Sequence, residues 1–337
     1  MNKLKNTSKL NIDYISDLHS SFYLKKEKSL FWKNWILKNK PNSDYLIIAW
    51  DINDNKEELK RTLDNIIENT NYKKIIITLW NHDLYLNQRD ILWYLDEEEN
   101  EVKTRNFEDS MEKYLILINE LHWYKDKIHV IDFEDFIIEE NRVAITWNMG
   151  WYNYSGVNDV DKYYLEKYYK ADFEKMSFAN FTSNDRNFIK FSEDICSNYK
   201  FSEFLERDLV RRLKNIKKNP KTKDYKIVAI SHIKPSREIE KDSKFNLSYS
   251  PDQWKEIIKD WDNAIQKYNL WIIYWNAYYT NNNLHKIYKQ YWVDYWIYWH
   301  THISNTYNYE GIKYSINSLW YYWIEEINNE IKTLEIN

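Results

Sequence analysis

The sequence predicts an α/β protein built on parallel strands, and three observations carry that expectation. Apolar runs of strand length recur at 10–16, 44–49, 74–79, 225–231 and 293–298. A helix-periodic segment from Lys56 to Thr70, with Leu59, Leu63, Ile66 and Ile67 on one face, joins the second run to the third. Every one of the five runs stops at a polar cluster holding Asp, Asn or His. Strand, helix, strand at this spacing is a βαβ unit, which places its strands in a parallel sheet covered on both faces. Ligands of such sheets bind outside the carboxyl ends of the strands, and the clusters fall there.

Taken in order, Leu10 to Ser16 alternates like a strand and leads into Asp17-Leu18-His19. The run 44–49 ends in Trp50-Asp51-Ile52-Asn53-Asp54, and 74–79 ends in Trp80-Asn81-His82-Asp83. The acidic run 96–101 reads as a solvated loop or helix start, and 107–122 as a helix. Lys127–Asp132, Phe136–Glu140 and Asn141–Trp147 read as successive strands. From 150 to 223 the sequence becomes aromatic, Lys- and Asn-rich, and reads as a helical insertion or cap within one domain spanning 1–337. Its basic run 211–218 suits a solvated helix face better than a phosphate-steering patch. The strand 225–231 leads to His232, and Pro235 fixes the loop that follows. Pro251 to Lys267 reads as a helix with Pro at its start. The strand 293–298 delivers Trp299-His300-Thr301-His302, and 303–336 reads as a closing set of antiparallel strands.

Composition narrows the function classes. The chain has 337 residues, 43% of them hydrophobic, enough for a sizeable core. A net charge of −4 argues against general nucleic-acid or membrane-surface binding. The single cysteine, Cys196, allows no internal disulfide and suits a reducing compartment. No apolar run is long enough for a membrane span, and the N-terminus lacks a signal-type apolar region, so a soluble, cytoplasmic protein is expected.

Glycine occurs 3 times and tryptophan 17 times. Ordinary usage of about 7% would give roughly two dozen glycines. Some bacterial lineages read UGA as glycine, and translating such a gene with UGA as tryptophan would produce this imbalance. The positions of several tryptophans, given below, fit that origin.

The strand-end clusters together supply Asp17, His19, Asp51, Asn81, His82, His232, His300 and His302. Carboxylate, imidazole and amide donors without thiolate suit Mn²⁺, Fe or Zn²⁺ and exclude a cysteine zinc site. Two such ions about 3.5–4 Å apart form a clamp for phosphoryl chemistry. Holding two dications so close needs a bridging carboxylate, for which Asp51 is the candidate.

The order Asp17-x-His19, Asp51-x-x-Asp54, Asn81-His82-Asp83, His232, His300-x-His302 resembles the calcineurin-like metallophosphoesterases. The resemblance runs from about residue 11 to 323, outside 150–223. It implies a four-layer αββα sandwich of two mixed sheets. It implies one metal on Asp17, His19, Asp51 and His302, and a second on Asp51, Asn81, His232 and His300, with Mn²⁺ the first choice. A hydroxide bridging the ions would attack phosphorus in line, with His82 as general acid oriented by Asp54. Small phosphoesters fit the negative charge better than nucleic acid, with 150–223 the expected source of specificity; no membrane partner is expected. A nuclease of the same family and a non-catalytic interaction protein on a degenerate scaffold are the alternatives.

The family has glycine where this sequence has Trp50, Trp80 and Trp299, at turns whose backbone passes close to the metals. Trp292 and Trp320 also stand at family glycines, whereas Trp296 stands at a family tryptophan. Three indoles at 50, 80 and 299 would fill the substrate space. The mass of the protein purified from its own host decides the matter: recoding predicts a value well below 41.8 kDa, and genuine tryptophans predict 41.8 kDa.

Overall fold

Two mixed sheets stacked face to face, with helices on their outer faces, carry the strand ends predicted above. The computed structural model describes residues 9–16, 43–49, 52, 56–79, 81–86, 91–95, 102–179, 181–191, 197–234, 236–240, 247–260, 263–298, 304–317 and 331–336. The first sheet runs β15 (Lys332–Ile336), β1 (Leu10–Ser16), β2 (Tyr45–Ala49), β3 (Lys74–Thr78), β6 (Ile128–Val130). Strands β1, β2, β3 and β6 are mutually parallel, and β15 lies antiparallel on the β1 edge. The second sheet runs β13 (Ser304–Tyr309), β14 (Ile312–Asn317), β12 (Tyr295–Tyr298), β11 (Lys226–Ser231), β8 (Val143–Asn148), β7 (Phe136–Ile138). Its four central strands are parallel and both edges antiparallel.

Side-chain alternation sorts each strand between two layers. Leu46 and Ile48 of β2, with Ile75 and Ile77 of β3, pack against Leu59, Leu63 and Ile66 of α1 (Lys56–Asn69) and Leu117, Ile118 and Leu121 of α3 (Ser110–His122). Burying each such side chain contributes about 1.5–3 kcal/mol. Their neighbours Ile47, Ala49 and Ile76 face the other way, into the core shared with Ile145, Val228, Ile230 and Tyr314. Tyr14 of β1 ties the two sheets directly, its hydroxyl 2.5 Å from Ser315 Oγ of β14. On the far side, α6 (Asn198–Lys218) packs on β8. There too Tyr288 of α10 (Asn282–Gln290) meets Trp296 of β12 edge to face.

Several segments depart from the sequence reading. The C-terminal strands pair antiparallel as read but divide between the sheets: β13 pairs with β14 in the second, and β15 crosses to β1 in the first. Leu334 and Ile336 there pair with Ile12 and Leu10, which completes the inner layer. A hairpin of β4 (Ile91–Leu95) and β5 (Val102–Asn106) flanks the acidic run 96–101, which lies outside the described residues. The expected helix 251–267 is α7 (Pro251–Ile257), a 3₁₀ turn at Ile258–Asp260, and α8 (Ala264–Lys267). Apolar on all sides, α9 (Leu270–Tyr279) carries no amphipathic period to mark it in sequence. Between β8 and β11 lie α4 (Asp159–Tyr169), the hairpin β9 (Ser177–Phe178) with β10 (Phe181–Thr182), α5 (Asn184–Phe188) and α6. No helix among the described residues is long and apolar enough to cross a membrane.

The tryptophans divide by environment. Trp151, Trp254 and Trp296 are fully buried, and their indole N–H groups donate to Asn198, Asp161 and Ser231. Trp292 is 74% exposed and takes φ 52. It stands just past the end of α10, its N–H bonding Lys289 O (3.2 Å) while the Val293 N–H bonds Tyr288 O (3.0 Å). That bond pair is the Schellman ending, whose left-handed residue is usually glycine.

Arg212 of α6 anchors the insertion to the first sheet. Its guanidinium donates to the backbone oxygens of Ile131 (3.3 Å) and Asp132 (2.5 Å) and to the carboxylates of Asp208 (2.6 Å) and Asp135 (3.3 Å). Burial pushes the Asp132 carboxyl up to about 7, against the pull of Tyr114 and Arg212. The folded state therefore holds a proton that the unfolded chain gives up near pH 4, so stability falls as pH rises from about 4 to 7 and levels off above. Asp132→Asn should flatten this decline, by about 1.4 kcal/mol for each tenfold difference in proton affinity removed. Urea unfolding of both proteins at pH 5 and 7.5 checks it, and equal declines would contradict it.

Candidate functional site

All five parallel strands that the sequence marked end at one rim of the two sheets. Ser16, Ala49 and Thr78 pair in register with their neighbours across β1, β2 and β3, and Ser231 with Tyr298 across β11 and β12. The sequence-predicted residues follow these ends in the chain. Asp17, His19, Asp51, Asp54, His300 and His302, with Trp50, Trp80 and Trp299, lie outside the described residues. For His82 the backbone is described, within the single-turn helix α2 (Asn81–Leu84). Asn81 and His232 are described in full, and both are buried.

Asp83 is fully buried and its Oδ1 accepts the backbone N–H of Ile52 at 3.0 Å. That bond ties the cluster after β3 to the one after β2. Asp83 thus acts as a cap for the loop at Ile52.

Asn81 is 3% exposed, and its Nδ2 donates to Asp185 Oδ1 at 2.7 Å. A carboxylate accepts only, so it must face the NH₂ end of the amide. Asn81 Oδ1 therefore points away from it, buried and with no hydrogen-bond partner among the described residues. An orphaned buried carbonyl oxygen is costly unless something electropositive meets it. A hard or borderline cation would do so, and the donor set fits one.

His232 is fully buried in a turn held from three sides. Ser231 Oγ donates to Ile233 O at 3.0 Å and accepts the Trp296 indole N–H at 2.7 Å. Lys234 pairs its backbone with Tyr279 O (2.8 Å) and the Asn281 N–H (2.9 Å), closing the loop on the end of α9. Gly150, after β8, sits at φ 72 with Ile233 N 3.2 Å and His232 N 3.4 Å from where its Cβ would stand. A side chain there would push the histidine turn away.

Two residues beyond Gly150, the Tyr152 hydroxyl donates to Asp185 Oδ2, and the Tyr85 hydroxyl donates to Asp185 Oδ1. One chain of contacts thus links His232 to Asn81 through the β8 loop and Asp185. Burial and the nearby Asp185 charge push the Tyr279 hydroxyl up to about 12, so it stays protonated.

The sequence reading missed Asp185. It sits in a stretch whose sequence shows no apolar strand run before it and no His or Asp at ligand spacing. Its one signal is Ser183 as helix cap, with Ser183 Oγ accepting the Asp185 N–H at 3.3 Å. Two histidines outside the strand-end clusters make structural contacts: His129 Nε2 meets Glu134 O (3.0 Å), and His285 bridges Tyr314 and Glu310. Among the described residues no three His, Cys, Asp or Glu converge as a metal site, since five of the seven expected ligands fall outside them.

No family model and no curated protein matches the chain. Among solved structures, the fold is similar to that of a phosphopantetheinyl hydrolase from Mycobacterium tuberculosis, with a TM-score of 0.62 at 16% identity. The match covers 94% of this chain and 91% of the other. At that identity the likeness speaks to the fold.

Proposed function

We propose that this chain is a metal-dependent phosphoester hydrolase whose site lies at the shared rim of the two sheets. The observation that carries the reading is Asn81: its amide nitrogen is held by Asp185, and its carbonyl oxygen is left buried without a partner. The buried His232, brought up by the close approach at Gly150, supports it. The similarity of fold to a phosphopantetheinyl hydrolase supports a phosphoester as substrate class.

One divalent ion, Mn²⁺ by first choice, would take Asp17, His19, Asp51 and His302. A second would take Asp51, Asn81, His232 and His300. When bound, such a pair supplies Lewis-acid activation of water and of the phosphoryl oxygens. His82 protonates the leaving oxygen, and Asp54 holds the imidazole in the tautomer that can donate. Buried and held by its turn, His232 is placed to serve as a ligand with little reorganisation. Glycine in place of Trp50, Trp80 and Trp299 would leave the space above the ligands open. Trp292, exposed at a left-handed helix ending, supports glycine as the residue the cell inserts at such positions.

The chain with glycine at 50, 80 and 299 and Mn²⁺ added should cleave a nitrophenyl phosphomonoester or diester. His82→Ala should lower kcat about 10²–10⁴-fold with metal content unchanged, and Asp51→Ala should lose metal. A protein that binds two metals yet cleaves neither ester would contradict the reading and favour an interaction role.

A further inference from the structure

We infer that Asp185, carried by the segment between β8 and β11, is a positioning residue for the metal site, acting through Asn81. This rests on the phosphoesterase reading and extends it to a part of the chain that carries none of the expected ligands.

Asp185 is 8% exposed, and its carboxylate receives three side-chain donors: the Asn81 amide, the Tyr85 hydroxyl and the Tyr152 hydroxyl. Tyr85 and Tyr152 are themselves buried, so the acceptor sites are used within the protein. The Tyr hydroxyls could donate to many acceptors. Asn81 gains something only an acceptor can give, a fixed amide orientation. With its NH₂ committed, the amide cannot rotate to offer nitrogen to a cation. The negative charge behind it also raises the basicity of the carbonyl oxygen, as carboxylates behind metal ligands do.

Asp185 is held in place independently of any cation. Phe188 stacks on Tyr85 at 5.2 Å between ring centres, and the Leu86 N–H bonds Phe188 O at 2.9 Å. Ser110 and Lys190 are joined twice, Ser110 N to Lys190 O (2.9 Å) and Lys190 N to Ser110 Oγ (3.0 Å). Buried Lys113 reaches Tyr85 O at 2.6 Å. The segment 183–190 is thereby built into the wall beside Asn81, where a detachable cap would be bonded through few such contacts.

The test uses the full chain with glycine at 50, 80 and 299, titrated with Mn²⁺ by calorimetry, beside Asp185→Ala and the isosteric Asp185→Asn. Asp185→Ala should keep one site and bind the second Mn²⁺ about 10–100-fold more weakly. Asp185→Asn retains an oxygen for Asn81 but no charge, and should fall between that variant and the parent. The rise in Tm on adding Mn²⁺ should shrink in the same order, while the metal-free Tm of Asp185→Asn stays near the parent's. Parent-like affinity at both sites in Asp185→Asn, together with parent-like affinity in any folded Asp185→Ala, would overturn the inference alone. A parent protein that takes up no Mn²⁺ would overturn the phosphoesterase reading and this inference with it.

Discussion

Gly150 has no Cβ, and at φ 72 it lets the loop after β8 lie against the backbone of His232 and Ile233. That contact sets how closely the loop after β8 approaches the turn holding His232. If the two loops stood further apart, the turn holding His232 would lose its seat, and Tyr152, two residues on, would no longer reach Asp185. Asp185 in turn decides which end of the Asn81 amide faces the rim. The constraint is steric at one end and electrostatic at the other. It runs from the second sheet, through the segment between β8 and β11, to the first.

Burial makes these contacts demanding. Asn81, Tyr152, Asp185 and His232 are all nearly inaccessible, so each polar atom needs a partner that water cannot replace. Tyr85 and Tyr152 give Asp185 the donors that a buried carboxylate requires. Among the described residues, the carbonyl oxygen of Asn81 is one of the buried side-chain atoms at which this satisfaction stops. Such an atom calls for an explanation, and at a strand-end rim a bound cation would supply one. The Arg212 network is a contrasting case: it joins α6 to the β6–β7 connection and carries no feature that points to a ligand.

Much of the frame was legible in the residues. The run 44–49, the amphipathic Lys56–Asn69 and the run 74–79 could form little other than a βαβ unit, and they do. The polar clusters at strand ends were equally legible, because a parallel sheet opens its ligand crevice there. The crossing of β15 to β1 was not, since short strands of similar pattern fit either sheet until Leu334 and Ile336 find the inner layer. Asp185 was hidden for a different reason: it meets Asn81 across about a hundred residues, and no local spacing announces a partner that distant. Trp292 shows the converse, a residue whose oddity in composition becomes a specific backbone conflict once its φ is known.

The central claim is that the rim holds two cations, one of them on Asn81 Oδ1 and His232. Anomalous diffraction at the manganese edge, from crystals of the chain with glycine at 50, 80 and 299 grown with Mn²⁺, tests it most directly. The account predicts two peaks about 3.5–4 Å apart, one of them within bonding distance of both Asn81 Oδ1 and His232. Manganese bound elsewhere, or a rim without a peak, would contradict it.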